Sequence, residues 1–383
     1  RAETEMAYSN ILLIKMSSLG DVIHTLPFIA VLRKRFPKAK ITWLVHPQFA
    51  AFLPDPPLVD QVLYFDKVKF NHMGWKEKFH YFQEMRTQLR TWHFDLVIDL
   101  QGLFKSAVLA YLTGCPNRIG YCEMREGSGL VSKAVTGAHA RDHVIERYLD
   151  VARYLGCTVD SIDFPMPDLS AEWEQVQEKL AAYGLELQTG KKSTNSTGSK
   201  DKVSALNYVV IAPGARWVTK TYPARHFAKL ARLLMAEGTH VVLAGSKDET
   251  ELGTEIAGQV AMARYSSRDA GSGMLINLIG QTSLRELGAL IEHCKFYFSA
   301  DTGPLFIATA FKKPLVAVYG PTRPERTGPY GFDGATVLVA PVPCAGCLQK
   351  QCDHWECMAA VPPEQLFAVY KEKMEGAGHG TQS

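Results

Sequence analysis

The chain has no long apolar run, almost no charge excess and few evenly spread cysteines, and each shortage excludes something. No stretch reaches the roughly 18 apolar residues that a membrane-spanning helix needs. The first apolar run, Ile11 to Ile14, is too short for a signal peptide. Arg1 to Glu5 reads as a remnant ahead of a native start at Met6, so the expectation is a soluble cytoplasmic protein. Lys and Arg number 42 against 39 Asp and Glu, a net charge of +3, which argues against a dedicated nucleic-acid binder. No Gly-x-Gly-x-x-Gly follows a strand pattern, which counts against a nicotinamide dehydrogenase, and the Gly-Lys-Ser/Thr of a Walker loop is missing too. Of eight cysteines, Cys115, Cys122, Cys157 and Cys294 are scattered and the other four crowd between 344 and 357. That is not a secreted disulfide framework.

What is present is an ordinary globular composition, 46% hydrophobic and 21% charged, over 383 residues. That length predicts about two domains and a core that needs no staples. Asn10 to Met16 reads as a buried strand, the small polar loop 17–21 follows, and a helix is predicted from about Val22 to Phe36. A second strand runs from Lys40 to Val45. Strand, loop, helix, strand is the βαβ unit of a parallel sheet. The pattern continues to a helix at 173–183, then the nearly apolar-free stretch 188–205 reads as a flexible linker. A second α/β pattern starts with the strand Tyr208 to Ala212. The predicted fold class is α/β, two doubly wound Rossmann-like domains facing a central cleft. The predicted divisions are a first domain at 8–187, the linker at 188–205, a second domain at 206–360, and a C-terminal helix at 361–383. In such sheets ligands sit outside the carboxyl ends of the strands, where this sequence concentrates Gly, Asp, Ser and Thr.

Four loops carry candidate chemistry, and each has an ordinary reading beside the functional one. In Ser17-Ser18-Leu19-Gly20-Asp21 the small residues let helix-start amides approach an anion, and Asp21 can accept a hydroxyl proton. Asp21 can equally be a capping aspartate. Arg216 and Lys220, after the Pro213-Gly214 turn, suit a diphosphate, or are solvated loop charges. Asp301-Thr302-Gly303-Pro304 opens a helix and can form a phosphate nest, or simply cap it. Glu249 can hold a ribose diol or be a first-turn glutamate. The cluster Cys344, Cys347, Cys352 and Cys357 resembles a zinc knuckle in outline, a structural metal site if it binds at all. Disulfides or free thiols are the alternative. Lys67, Lys69, Lys76, Lys78 and Lys133 read mostly as solvated surface.

Taken in order, these motifs resemble the ADP-heptose:lipopolysaccharide heptosyltransferases, glycosyltransferase family 9, of GT-B architecture. The pieces are Ile14 through Pro27, Asp95 through Leu103, Arg118-Ile119-Gly120, Pro213 through Lys220, Leu278-Ile279-Gly280, Asp301 through Pro304, and Val318 through Thr322. The resemblance spans about residues 10 to 330, and the late cysteine cluster also looks like what many members carry.

The resemblance implies an inverting glycosyltransferase that moves heptose from ADP-heptose to a Kdo- or heptose-bearing lipopolysaccharide inner-core acceptor. It also implies that 8–187 binds the acceptor, that 206–360 binds the nucleotide sugar, and that the helix at 361–383 packs back on the first domain. Asp21 falls on the general base. Lys220 falls on the lysine that meets the donor phosphates, and Arg216 lies on the same donor loop. Glu249 falls on the ribose-binding glutamate, and Asp301, Thr302 and Gly303 on the loop for heptose hydroxyls and diphosphate. Ser18, Arg118 and Arg125 are the acceptor-side candidates. No cofactor is expected, because no loop offers an Asp-x-Asp metal clamp. The expected partners are the donor and the lipid-linked acceptor, with no nucleic acid and at most peripheral contact with the inner membrane. One departure is Phe306, where the family usually has a donor-site histidine. It keeps two alternatives open, a same-family transferase using another nucleotide sugar and a non-catalytic sugar-nucleotide binding protein.

Overall fold

A computed structural model describes residues 8–185, 207–266 and 272–379. Close contacts divide the chain into Arg1–Asp168 with Glu325–Thr327, and Leu169–Pro324 with Gly328–Ser383. Each unit is built on one six-stranded sheet, and every pairing within it is parallel.

The first sheet holds β1 (Asn10–Ile14), β2 (Lys40–Val45), β3 (Gln61–Tyr64), β4 (Leu96–Asp99), β5 (Arg118–Gly120) and β6 (Lys133–Ala134), in the order β3-β2-β1-β4-β5-β6. Ile11, Leu12, Leu13 and Ile14 are all fully buried, as a central parallel strand covered on both faces requires. Its helices are α1 (Leu19–His24), α2 (Leu26–Arg35), α3 (Lys67–His72), α4 (Trp75–Thr91), α5 (Phe104–Leu112) and α6 (Val144–Tyr154). The helix predicted at 22–36 is in fact two. Thr25 ends α1, and Pro27 sits in the first turn of α2, where its missing N–H costs nothing.

The second unit begins with α7 (Ser170–Ala182). Its sheet holds β7 (Tyr208–Ala212), β8 (His240–Leu243), β9 (Leu275–Asn277), β10 (Phe296–Ala300), β11 (Leu315–Tyr319) and β12 (Ala335–Val339), in the order β12-β11-β10-β7-β8-β9. Its helices are α8 (Ala224–Ala236), α9 (Thr250–Ser266), α10 (Leu284–His293), α11 (Gly303–Ala310), the single turn α12 (Pro324–Thr327), which straddles the division, and α13 (Pro363–His379). Both sheets therefore run in the doubly wound order 3-2-1-4-5-6, with a reversal between β1 and β4 and again between β7 and β10.

Two helices sit elsewhere than the sequence suggested. Helix α7, expected to close the first half, packs on α10 of the second unit. Arg285 bonds Glu172 at 2.5 Å, Lys179 bonds Glu286 at 2.8 Å, and the rings of Trp173 and His293 stack 3.8 Å apart. Helix α13, expected on the first domain, packs on α8 and β11 of the second. Leu366 is fully buried in that core, and the Tyr370 ring meets Phe296 at 5.2 Å. Both helices carry an apolar stripe, and a stripe does not say which sheet it will cover. The predicted linker 188–205 lies outside the described residues.

Candidate active site

In the first unit the chain leaves β1 at its carboxyl end, beside the β1–β4 reversal. Ser18 precedes α1, and both its backbone N–H and its hydroxyl donate to Asp21 Oδ2 at 2.9 Å. Asp21 thus does cap the helix, but with one oxygen only. Among the described residues Oδ1 accepts no hydrogen bond. Burial pushes the Asp21 carboxyl up, yet the Lys15 charge and the Ser18 hydrogen bonds outweigh it, and the group lies below its ordinary value.

Lys15, buried one residue past β1, donates to Leu100 O at 2.9 Å and to the Tyr148 hydroxyl at 2.7 Å. Gln101, after β4, accepts from the amides of Met16 and Ser17 at 2.9 and 3.2 Å. Asp99 accepts from the amides of Gln101 and Gly102 and from the Ser106 hydroxyl, so it organises the second loop of the reversal. His24 is buried edge-on to His143, and burial together with the neighbouring cations pushes it down to about 3, so it stands uncharged. Lys15, Gln101 and Tyr148 were not chosen from the sequence. The available signal was a lone lysine closing an apolar strand.

The acceptor-side candidates separate. Arg125 is exposed after β5, and its charge acts on Lys15, Tyr121 and Tyr148, which groups it with Asp21 and Ser18. Arg118 starts β5, at the amino end of its strand, and its guanidinium bonds the carbonyls of Cys115 and Val131. It serves the backbone there and does not join the Asp21 group.

In the second unit the β7–β10 reversal carries the donor-side candidates. Lys220 Nζ lies 3.2 Å from Asp301 Oδ2 and 4.9 Å from the centre of the Trp217 ring. Asp301, directly after β10, also accepts from the Thr322 hydroxyl at 2.8 Å. Thr302 caps α11 without a side-chain hydrogen bond, and Gly303 is its first residue. The amides of that first turn therefore point out at the carboxyl edge of β10, the arrangement that binds anions. Glu249 accepts from the Ser246 amide at 3.1 Å, so it caps its helix as an ordinary first-turn glutamate would. A Cβ added at Gly214 or Gly245 would overlap its carboxylate, so the same group also lies under the loops after β7 and β8. Burial raises it, and the Ser246 amide opposes that. Arg216 is exposed and makes no ion pair among the described residues. Phe306 is a buried side chain of α11.

The cysteine-rich segment supports this loop. The Thr219 hydroxyl donates to Gln349 O at 2.7 Å, and the Trp355 indole N–H donates to Thr219 O at 2.9 Å. Cys344, Cys347, Cys352 and Cys357 are free thiols. Among the described residues no group of three or more His, Cys, Asp or Glu is arranged to hold a metal, so the structure gives the metal-cluster reading no support.

A family profile described as glycosyltransferase family 9 (heptosyltransferase) matches residues 82–357. The chain belongs to glycosyltransferase family 9. This glycosyltransferase is 30% identical over 326 residues to lipopolysaccharide heptosyltransferase 2 of Escherichia coli, covering 83% of this chain and 85% of the relative. It is 28% identical to lipopolysaccharide heptosyltransferase 1 of Pseudomonas aeruginosa, covering 90% and 87%. Among solved structures it resembles E. coli ADP-heptose lps heptosyltransferase II, with a TM-score of 0.69, 24% identity, and 95% and 99% of the two chains covered. A family 9 glycosyl transferase from Veillonella parvula gives a TM-score of 0.72 at 21% identity, with 96% and 98% covered. These matches place the two doubly wound units in the GT-B class. No helix among the described residues is long and apolar enough to cross a membrane.

Proposed function

We propose that this glycosyltransferase moves heptose from ADP-heptose to a Kdo- or heptose-bearing lipopolysaccharide inner-core acceptor with inversion, with Asp21 as general base. The observation that carries the reading is Asp21 itself: an ionised carboxylate at a sheet reversal, with one oxygen fixed by Ser18 and the other left for a substrate hydroxyl. A base so held needs no rearrangement before it takes a proton. Lys15 keeps it ionised despite burial. Ser18 and Arg125 are the acceptor-side groups.

The second unit takes the donor. Lys220, Thr302 and the α11 amides stabilise the leaving diphosphate, which is where negative charge grows in the transfer. Glu249 holds the ribose, Asp301 bonds heptose hydroxyls, and Arg216 adds a cation on the same loop. In balance, the acceptor hydroxyl oxygen bonds the anomeric carbon, its proton passes to Asp21, and the carbon–oxygen bond to the diphosphate breaks to release ADP. The names of the relatives support heptose and lipopolysaccharide, and the E. coli heptosyltransferase WaaC has been solved with ADP.

Purified enzyme is to be given ADP-heptose with Kdo-lipid acceptors that do or do not already carry one heptose. A mass gain of one heptose on one of them, in the opposite anomeric configuration, is expected. Transfer only from a different nucleotide sugar would establish the first alternative left open by Phe306. Binding of ADP with no transfer from any donor would establish the second.

A further inference from the structure

The first unit carries a concentration of large apolar side chains in water. On α4, Trp75 is 77% exposed and Phe79, one turn on, is 63% exposed. Val68 on α3 is 53% exposed. Helix α5, which packs on α4, adds Phe104 and Tyr111, seven residues apart and so on one face, each more than 60% exposed. Single exposed apolar residues are ordinary, but a grouped set marks a surface that meets something. The two helices are not loose. On their inner side Phe70 packs against Phe65, Tyr81 and Phe82 with ring centres 5.0 to 5.8 Å apart, and Met85 and Leu89 are buried in the core.

Cations surround the outward aromatics. Between residues 64 and 91 there are six Lys and Arg against three acidic residues, an excess as large as the net charge of the whole chain. Lys67, Lys69, Lys76 and Lys78 make no ion pair among the described residues. Lys69, His72, Lys76 and His80 line an open groove of about 580 Å³ beside these helices, together with Glu77 and with Glu84, which pairs with His80 at 3.0 Å.

We infer that the α3–α4 surface, with the adjoining α5 face, is a docking surface for an anionic lipid bilayer. Trp and Phe are amphipathic or apolar side chains that favour the membrane interface. Lysines beside them are drawn to negative headgroups. A second copy is a poor occupant, because a self-complementary contact would set this basic patch against itself. The inference rests on the proposed function only for its purpose, which is to bring the enzyme to a lipid-linked acceptor.

The test uses the full chain and vesicles without any sugar acceptor. Co-sedimentation with phosphatidylcholine vesicles is compared with vesicles containing a quarter phosphatidylglycerol. At least tenfold tighter partition onto the anionic vesicles is expected, reversed by 0.5 M salt. Trp75→Ser with Phe79→Ser, and separately Lys69→Gln with Lys76→Gln, should each reduce it tenfold with unchanged melting. Wild type left in the supernatant, equal binding to both vesicles, or variants that bind like wild type would overturn the inference. So would a concentration-dependent dimer that Trp75→Ser with Phe79→Ser abolishes, since a second copy would then cover the face. Heptose transfer in detergent without vesicle binding sinks the surface alone. Vesicle binding without any transfer sinks the proposed function alone.

Discussion

Lys220 Nζ and Asp301 Oδ2 stand 3.2 Å apart across the β7–β10 reversal, with both side chains mostly buried. An ammonium with one carboxylate partner still has donors to offer a diphosphate. Lys220→Met keeps the stem and removes the charge. It should weaken ADP binding by about 1.5–3 kcal/mol, roughly 10- to 100-fold, in calorimetry. Asp301→Asn should retain ADP binding while lowering kcat/KM, because the nucleotide does not carry the heptose hydroxyls that Asp301 is proposed to bond. Loss of ADP binding in Asp301→Asn would mean that the aspartate serves only to hold the lysine.

Gly214 is required by Glu249. A side chain at 214 would displace the carboxylate, the far end of a flexible side chain. Gly214→Ala is expected to leave the melting temperature nearly unchanged, because only the end of the Glu249 side chain must move. It should weaken ADP binding at least as much as Glu249→Gln does. Near-native ADP affinity in Gly214→Ala would show that Glu249 moves aside freely and does not hold the ribose.

Trp355 lies 136 residues from Thr219 in sequence, yet its indole fixes the Thr219 carbonyl one residue before Lys220. Trp355→Phe keeps the ring and deletes the donor. One neutral hydrogen bond is worth about 0.5–1.5 kcal/mol net, so ADP affinity should fall roughly 2- to 12-fold. If the loop is positioned by that bond, KM for the donor rises more than kcat falls. An unchanged KM would leave the cysteine-rich segment as mere cover.

The reactive loops were legible because each follows a largely apolar strand and breaks into small or charged residues. Ile11 to Ile14 and Tyr208 to Ala212 announce central parallel strands, so Asp21 and Lys220 fall at strand ends by arithmetic. The two residues of β6 and the three of β5 and β9 are too short to leave a pattern. The cap-or-base question over Asp21 was undecidable from spacing, since the answer depends on what each oxygen touches. Lys15 could not be paired from sequence with Tyr148, which comes 133 residues later. Arg118 and Arg125 look alike as letters, and only the direction of β5 separates them. The placement of α7 and α13 depends on which sheet their stripes meet, and that is a tertiary fact.

Lys15 and Asp21 form the relationship that ties charge to the proposed chemistry. Burial alone would hold the Asp21 carboxyl above its ordinary value, and the Lys15 ammonium reverses that. With its pKa lowered in the folded protein, Asp21 contributes stability above its unfolded pKa, and that contribution is lost as pH falls through the folded one. Lys15→Met fills much the same space without the charge, so the Asp21 pKa should rise. If Asp21 is the base, the acid limb of kcat/KM must move to higher pH in Lys15→Met. Asp21→Ala should abolish transfer and keep ADP binding, because the nucleotide is proposed to sit in the second unit. A Lys15→Met enzyme with an unshifted acid limb would leave Asp21 as a helix cap and send the search for the base elsewhere.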